Sequence, residues 1–392
     1  MRESVLLALL ALRASATTSI VPLPGLKGPY AVGTTALAIT DPSRTDPFAP
    51  TVQQRELAIS LFYPTTTTTT TTRDAGDSNN NCTLPLQFPP LTAAYLGAVF
   101  NDTSGSLGRI QGRSCAGGSP LSHPELPLLL FGPGFSYART YYSAQLEELA
   151  SRGWNVVAVD HPYDAGIVEY PDGRAAYARD STVVGGTADF YLGVRVADMK
   201  FVLDALSDPS VVSRIPGLGD ADADATASGS AGRLRTDAVG VFGHSFGGAT
   251  ALQLLAEDAR FAVGADFDGT LFGSVVEAGT DAPFALVGTN PPLDDSWDAG
   301  WGNLRGFKRQ YAVEDTEHSA FTDFPLIRDV LGGDAPPLLD TGLGTIPGAR
   351  VVDVETAYMD ALFGRFLKGE GGGLLDGEGA QDWPEVLLIR EG

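Results

Sequence analysis

Long apolar runs are missing from most of this 392-residue chain. Beyond the N-terminus no stretch approaches the roughly 18 continuous apolar residues of a membrane-spanning helix, so none is expected. Positive charge is scarce too: 26 Lys and Arg face 48 Asp and Glu, a formal net charge of −22. Such a surface repels nucleic acid and anionic bilayers, which excludes a nucleic-acid partner and leaves transient contact with zwitterionic lipid surfaces open. Cysteine is limited to Cys82 and Cys115, and histidine to His123, His161, His244 and His318. The alternating Asp220, Asp222 and Asp224 lack the glycine and closing glutamate of a calcium loop. They read as a solvated linker near 217–233, and neither a metal nor another cofactor is expected.

What is present fits a globular enzyme. The 43% hydrophobic fraction can fill a large core. Arg2, the apolar run 5–12 and Ala14-Ser15-Ala16 form the pattern of a secretory signal peptide over residues 1–16. The protein is therefore expected to be secreted, with Cys82 and Cys115 paired. Asn81 and Asn101 begin N-glycosylation sequons. Residues 17–368 read as one domain. A threonine-rich insertion near 65–80 has nothing to bury, and the glycine-rich, acidic stretch 369–392 reads as a flexible tail.

Along the domain, 32–39 reads as an edge strand and 56–63 as a strand stopped by Pro64. Residues 91–100 are a short apolar helix, either packed on the body or part of a lid within 85–115. Buried strands are expected at 126–131, 155–160, 261–267, 283–288 and, last, 309–313, with helices at 141–152, 188–206 and 351–367. His161 ends the 155–160 strand, where it either lines a pocket or makes a structural hydrogen bond. Strands alternating with helices imply an α/β fold with a mostly parallel central sheet flanked by helices.

The most informative stretch is Gly243-His244-Ser245-Phe246-Gly247, between an apolar strand pattern and a helical one. A G-x-S-x-G elbow needs its outer glycines because side chains there would strike the strand and helix, and it holds the serine in strained backbone. In this arrangement an acid and then a histidine follow the serine in sequence. Of the four histidines only His318 lies after Ser245. His318 is therefore the candidate base. Asp266, Asp268, Asp281 and Asp315 are candidate acids, and Asp268 leads because it lies further out on the loop beyond its strand. The turn Gly132-Pro133-Gly134-Phe135-Ser136 follows an early strand, where the N–H of Phe135 is a candidate oxyanion donor.

Together, Gly243 to Thr250, Asp268 after its strand and His318-Ser319-Ala320-Phe321-Thr322-Asp323-Phe324 resemble the plasma-type platelet-activating factor acetylhydrolases. The stretches 61–64 and 131–163 are similar as well, and the likeness suggests a fungal-like secreted member. It implies an α/β-hydrolase fold, a triad of Ser245, Asp268 and His318, and oxyanion donors at the N–H groups of Phe135 and Phe246. It also implies a calcium-independent serine esterase that removes short sn-2 acyl groups from phospholipids through an acyl-serine. Other readings are a cutinase-like or general short-chain esterase, a peptidase of the same fold, and a non-catalytic binding protein on this scaffold.

Overall fold

The computed structural model describes residues 19–65, 82–121, 126–179, 186–216, 218 and 234–392. The signal segment 1–16, the threonine tract beyond Thr65, Asn81, His123 and all of the 217–233 linker except Leu218 lie outside the described residues.

Fourteen strands are present among the described residues. In chain order they are β1 (Val21–Pro22), β2 (Ala31–Thr45), β3 (Gln54–Thr65), β4 (Ile110–Gln111), β5 (Cys115–Ala116), β6 (Pro127–Gly132) and β7 (Asn155–Val159). There follow β8 (Ile167–Glu169), β9 (Ala175–Tyr177), β10 (Arg235–His244), β11 (Phe261–Phe267), β12 (Phe284–Thr289), β13 (Lys308–Val313) and β14 (Val386–Glu391). Ten of them form one sheet in the order β14-β13-β12-β11-β10-β6-β7-β3-β2-β5. The centre, from β13 to β7, is parallel throughout. Antiparallel partners flank it: β14 on one side, β3 and β2 on the other.

The central strands read as unbroken apolar runs because both faces are covered. Along β6, Leu129 and Phe131 join one core, and Leu128 and Leu130 the other, as the two-residue period of a strand requires. The first face carries α1 (Pro90–Val99) at its margin and α2 (Ser143–Ser151) over its middle. The second carries α3 (Ala188–Ala205) and α4 (Phe246–Glu257), with Met199, Val202, Leu252 and Leu254 facing the strands. Two later helices, α5 (Phe324–Leu331) and α6 (Gly348–Phe363), return to the first face through Ile327, Val351 and Met359. This is the α/β-hydrolase architecture.

Several expectations shift. The tail is not loose: Gly373–Asp376 makes a short helical turn, and β14 pairs antiparallel with β13 from Val313↔Val386 to Arg309↔Glu391. Glycine and acidic residues dominate the tail's composition and mask the strand-forming run Val-Leu-Leu-Ile near its end. β13 is thus not the last strand, and its outer ladder groups are paired rather than open. β2 is not the outermost strand on its side, because β5 adds at Gly33↔Cys115 and Thr34↔Ala116. β3 runs through Pro64 to Thr65, where Pro64 pairs with Val32. Cys82 and Cys115 form a disulfide, tying the start of β5 to the chain beyond the threonine insertion.

Candidate active site

β10 delivers the elbow. Its last residue is His244, and α4 begins at Phe246, so Ser245 is the whole turn. Ser245 has φ 56° and ψ −122°, a conformation that costs on the order of 1–3 kcal/mol for a residue with a side chain. The flanking glycines let the turn close. A Cβ on Gly247 would lie 2.0 Å from the Gly132 carbonyl oxygen, and one on Gly243 would lie 2.6 Å from the same atom. The Ser245 N–H donates to the Phe267 carbonyl at 2.8 Å, which ties the elbow to β11.

Three side chains form a line. The Oγ of Ser245 is 3.1 Å from Nε2 of His318, and Nδ1 of His318 is 2.7 Å from Oδ2 of Asp268. His318 opens a short 3-10 turn, His318–Phe321, five residues beyond β13. Asp268 sits just past β11 with φ 53°, and this left-handed kink turns its side chain toward His318. Its other oxygen accepts from the N–H of Thr289 at 2.9 Å and the Thr289 hydroxyl at 3.1 Å. Burial would push the Asp268 carboxyl up, but the bonds from His318 and the Thr289 N–H outweigh it and hold the group below the ordinary carboxylate range. An imidazole held this way can take the serine proton, with the carboxylate fixing its orientation and tautomer.

The other candidate acids are elsewhere. Asp266 is fully buried beneath the elbow, where a Cβ on Gly248 would fall 1.6 Å from its Oδ1. Burial, and then the nearby Asp268, push its carboxyl well above the usual range. Asp281 pairs with Arg305 at the surface, at 2.7 Å. Asp315 is exposed and turns the chain with φ 61° before His318. His161 is buried, with Nδ1 2.9 Å from Asp198, so the structural alternative is the one observed.

Beside Ser245 lies a cavity of about 370 Å³ walled by Phe135, Tyr191, Phe246 and Phe272. Phe135 and Phe246, the two residues expected to offer oxyanion N–H groups, both border it with Ser245. Phe246 is the first residue of α4, so its N–H has no acceptor within the helix. Rings meet edge to face, Phe135 with Tyr191 at 5.4 Å and Phe246 with Phe272 at 5.7 Å. No residue of α1 borders this cavity; α1 packs through Leu96, and the N–H of Thr92 donates to Glu169. Asn101 follows α1 and is exposed.

Sequence reasoning missed the links behind the site. His244 braces the base, since its Nε2 is 2.9 Å from the His318 carbonyl oxygen and its Nδ1 is 2.9 Å from the Tyr142 hydroxyl. Burial, and then His318 beside it, push the His244 imidazole down to about 3, so it stays neutral. Nε2 then donates to the His318 carbonyl and Nδ1 accepts from Tyr142. Apolar spacing along α3 gives no sign of Arg195. In the structure Arg195 and Asp198 lie on the buried side of α3 while Phe190 is exposed.

A sequence model of the family described as "Platelet-activating factor acetylhydrolase, isoform II" matches residues 15–179 and 220–281. Over 97% of both chains, this chain is 29% identical to a "Probable 1-alkyl-2-acetylglycerophosphocholine esterase" of Arthroderma benhamiae. It is 32% identical to a platelet-activating factor acetylhydrolase of Cavia porcellus, over 53% of this chain and 50% of that one. Among solved structures, a ferulic acid esterase from Streptomyces cinnamoneus superposes with a TM-score of 0.77 at 31% identity, covering 94% of this chain and 99% of that one. With the elbow and the Ser245, His318 and Asp268 line on this sheet, the matches give the conclusion that this chain belongs to the platelet-activating factor acetylhydrolase isoform II family and is a carboxylic-ester hydrolase.

Proposed function

We propose that this protein hydrolyses short sn-2 acyl esters of glycerophospholipids through an acyl-serine intermediate. The observation that carries the reading is the hydrogen-bonded line from Ser245 through His318 to Asp268, set on a strained elbow. Ser245 Oγ attacks the ester carbonyl as His318 takes its proton. The N–H groups of Phe135 and Phe246 hold the resulting oxyanion. Collapse expels the lysophospholipid oxygen, which leaves with the proton from His318, and water then releases the acyl group by the same route. Nucleophile, base and anion donors all come from the protein, so the scheme has no step for calcium. The relatives named for acetylhydrolase and acetylglycerophosphocholine esterase activity support this substrate class. Secretion is part of the same proposal, supported by the signal-like N-terminus and the disulfide.

A second reading has its own observation. Four aromatic rings wall a cavity far larger than an acetyl group needs, and the Streptomyces neighbour is described as a ferulic acid esterase. An aryl acyl group would fill such a space, with offset or edge contacts to the rings.

The deciding experiment compares sn-2 acetyl phosphatidylcholine, methyl ferulate and the p-nitrophenyl esters of acetate, butyrate and palmitate, each with EDTA. Rapid, EDTA-resistant cleavage of the phospholipid supports the first reading; preference for the ferulate supports the second. Nitrophenyl esters cleaved alone would leave a general short-chain or cutinase-like esterase. In every case Ser245→Ala should lower turnover by about 10⁵–10⁶. An active Ser245→Ala variant would overturn the serine mechanism.

A further inference from the structure

The loop that carries Phe135 is held from behind by a buried ion pair that no step of the proposed reaction uses. Arg195 on α3 is 1% exposed and Asp164, just after β7, is 2% exposed. Their pairing is bidentate: Nε of Arg195 donates to Oδ2 of Asp164 at 2.7 Å and Nη2 to Oδ1 at 2.6 Å. The remaining fork of the guanidinium points at the loop. Nη1 donates to the Pro133 carbonyl at 2.5 Å and Nη2 to the Gly134 carbonyl at 3.1 Å. The same guanidinium lies 5.0 Å over the ring of Phe246.

A trans peptide carries its C=O and N–H on opposite sides, so capturing the carbonyl fixes where the N–H points. The peptide from Pro133 to Gly134 is pinned at both ends: Arg195 takes its oxygen, and its N–H donates to the Tyr142 hydroxyl at 3.1 Å. In the next peptide, Arg195 and the Tyr137 N–H take the Gly134 oxygen. The N–H left on its far side is that of Phe135, on the residue that borders the cavity with Ser245. Pro133 supplies no N–H that could compete. An unanchored loop this rich in glycine could rotate the second peptide and present a carbonyl to the oxyanion instead.

We infer that Arg195, fixed by Asp164, is a positioning residue that sets the oxyanion loop with the Phe135 N–H facing Ser245. It touches neither substrate nor nucleophile. Asp164 neutralises it, and its contribution is geometric. A lysine could reach one carbonyl but not hold the fork to Asp164 and both carbonyls at once.

The inference rests on the acyl-serine reading, and the experiment separates the two. Arg195→Met, Arg195→Lys, Asp164→Asn and Ser245→Ala are measured in the full chain on p-nitrophenyl acetate, with the rates of the first three normalised to the serine titrated by a fluorophosphonate and that of Ser245→Ala to protein concentration. A trifluoromethyl ketone, whose serine adduct places an oxyanion in the same position, reports the hole directly. Arg195→Met should lower kcat by about 10², within the range for losing one oxyanion donor, and leave KM within about threefold. Ketone affinity should fall in step with kcat/KM. Arg195→Lys and Asp164→Asn should give smaller losses of the same pattern. A folded Arg195→Met with wild-type kcat, a loss confined to KM, or unchanged ketone affinity overturns the inference. If Arg195→Met fails to fold, folded Arg195→Lys and Asp164→Asn proteins that both keep wild-type kcat overturn it equally. An active Ser245→Ala would instead remove the serine reading on which it stands.

Discussion

Asp266 and Asp268 are separated by one residue and have opposite chemistry. Strand alternation predicts that both face the same way, and on that rule neither can be chosen from sequence. The structure separates them because Asp268 has left the strand into φ 53° while Asp266 still belongs to β11. Replacing each with asparagine exposes the difference. Asp268→Asn should cut kcat by about 10⁴, because an amide beside Nδ1 stabilises the wrong tautomer of His318. Asp266→Asn replaces a buried carboxyl whose proton is held more tightly than usual with an isosteric amide and should leave kcat within about threefold. Steady-state rates on p-nitrophenyl acetate check both, and equal losses would contradict the assignment. Ser245 and His318 were legible because a glycine-flanked elbow and a scarcity of histidine left no rival. Tyr142, Asp164 and Arg195 were not, since the turn before α2, the loop between β7 and β8, and α3 meet the Gly132 to Ser136 turn through contacts that no local pattern announces.

At the level of elements, the alternating strands and helices were readable because the parallel strands are continuous apolar runs and glycines such as Gly153, at φ 94°, end helices where expected. Pairing was harder to see. β14 is as long as β12 and β13 but lies in a stretch dominated by glycine and acidic residues, and β5 is two residues long, so neither stands out in the sequence. β5 depends on a covalent tether: Cys115 pairs beside Gly33 and is bonded to Cys82, 33 residues away in sequence. Removing the bridge with Cys82→Ala and Cys115→Ala together should cost roughly 3–4 kcal/mol in the chain-entropy view. Urea melts check this. The loss should appear in stability and leave kcat nearly unchanged, because the bridge lies at the opposite side of the sheet from β12 and β13.

The whole molecule has an unusual acid inventory in its interior. Burial drives Asp323 up to about 8, although it accepts from the N–H groups of Ala144 and Gln145 at the start of α2. Glu355 on α6 is pushed well above the ordinary range by burial and then by Asp323, and both its oxygens lack partners among the described residues. Together with Asp266, these groups hold protons in the folded state that the unfolded chain releases above about pH 4. A raised carboxyl pKa makes stability fall as pH rises toward the folded value. Buried His161 and His244 are shifted down by burial and work the other way, losing stability only as pH drops below about 6.5. Above about pH 6.5 the two buried histidines no longer lower stability, whereas Asp323 loses its proton only towards pH 8, and the melting temperature should decline across that window. The net charge of −22 pushes in the same direction by self-repulsion. Glu355→Met should raise stability by about 1–3 kcal/mol, more at pH 8 than at pH 6.5, and flatten the decline. Thermal melts at both pH values test it, and a parallel shift at both would contradict it.

The left-handed backbone at Ser245, Asp268 and Ser136 has a consequence for anyone who evolves this protein in the laboratory. Glycine adopts those angles freely, so a selection that rewards heat resistance alone would favour glycine at Ser245, the proposed nucleophile, whereas Asp268 is kept in place by its bonds to His318 and Thr289. The population would become hardier and inert. A campaign for a robust enzyme must screen turnover in every round, and should begin at Glu355, where comfort of the fold and chemistry of the site do not compete.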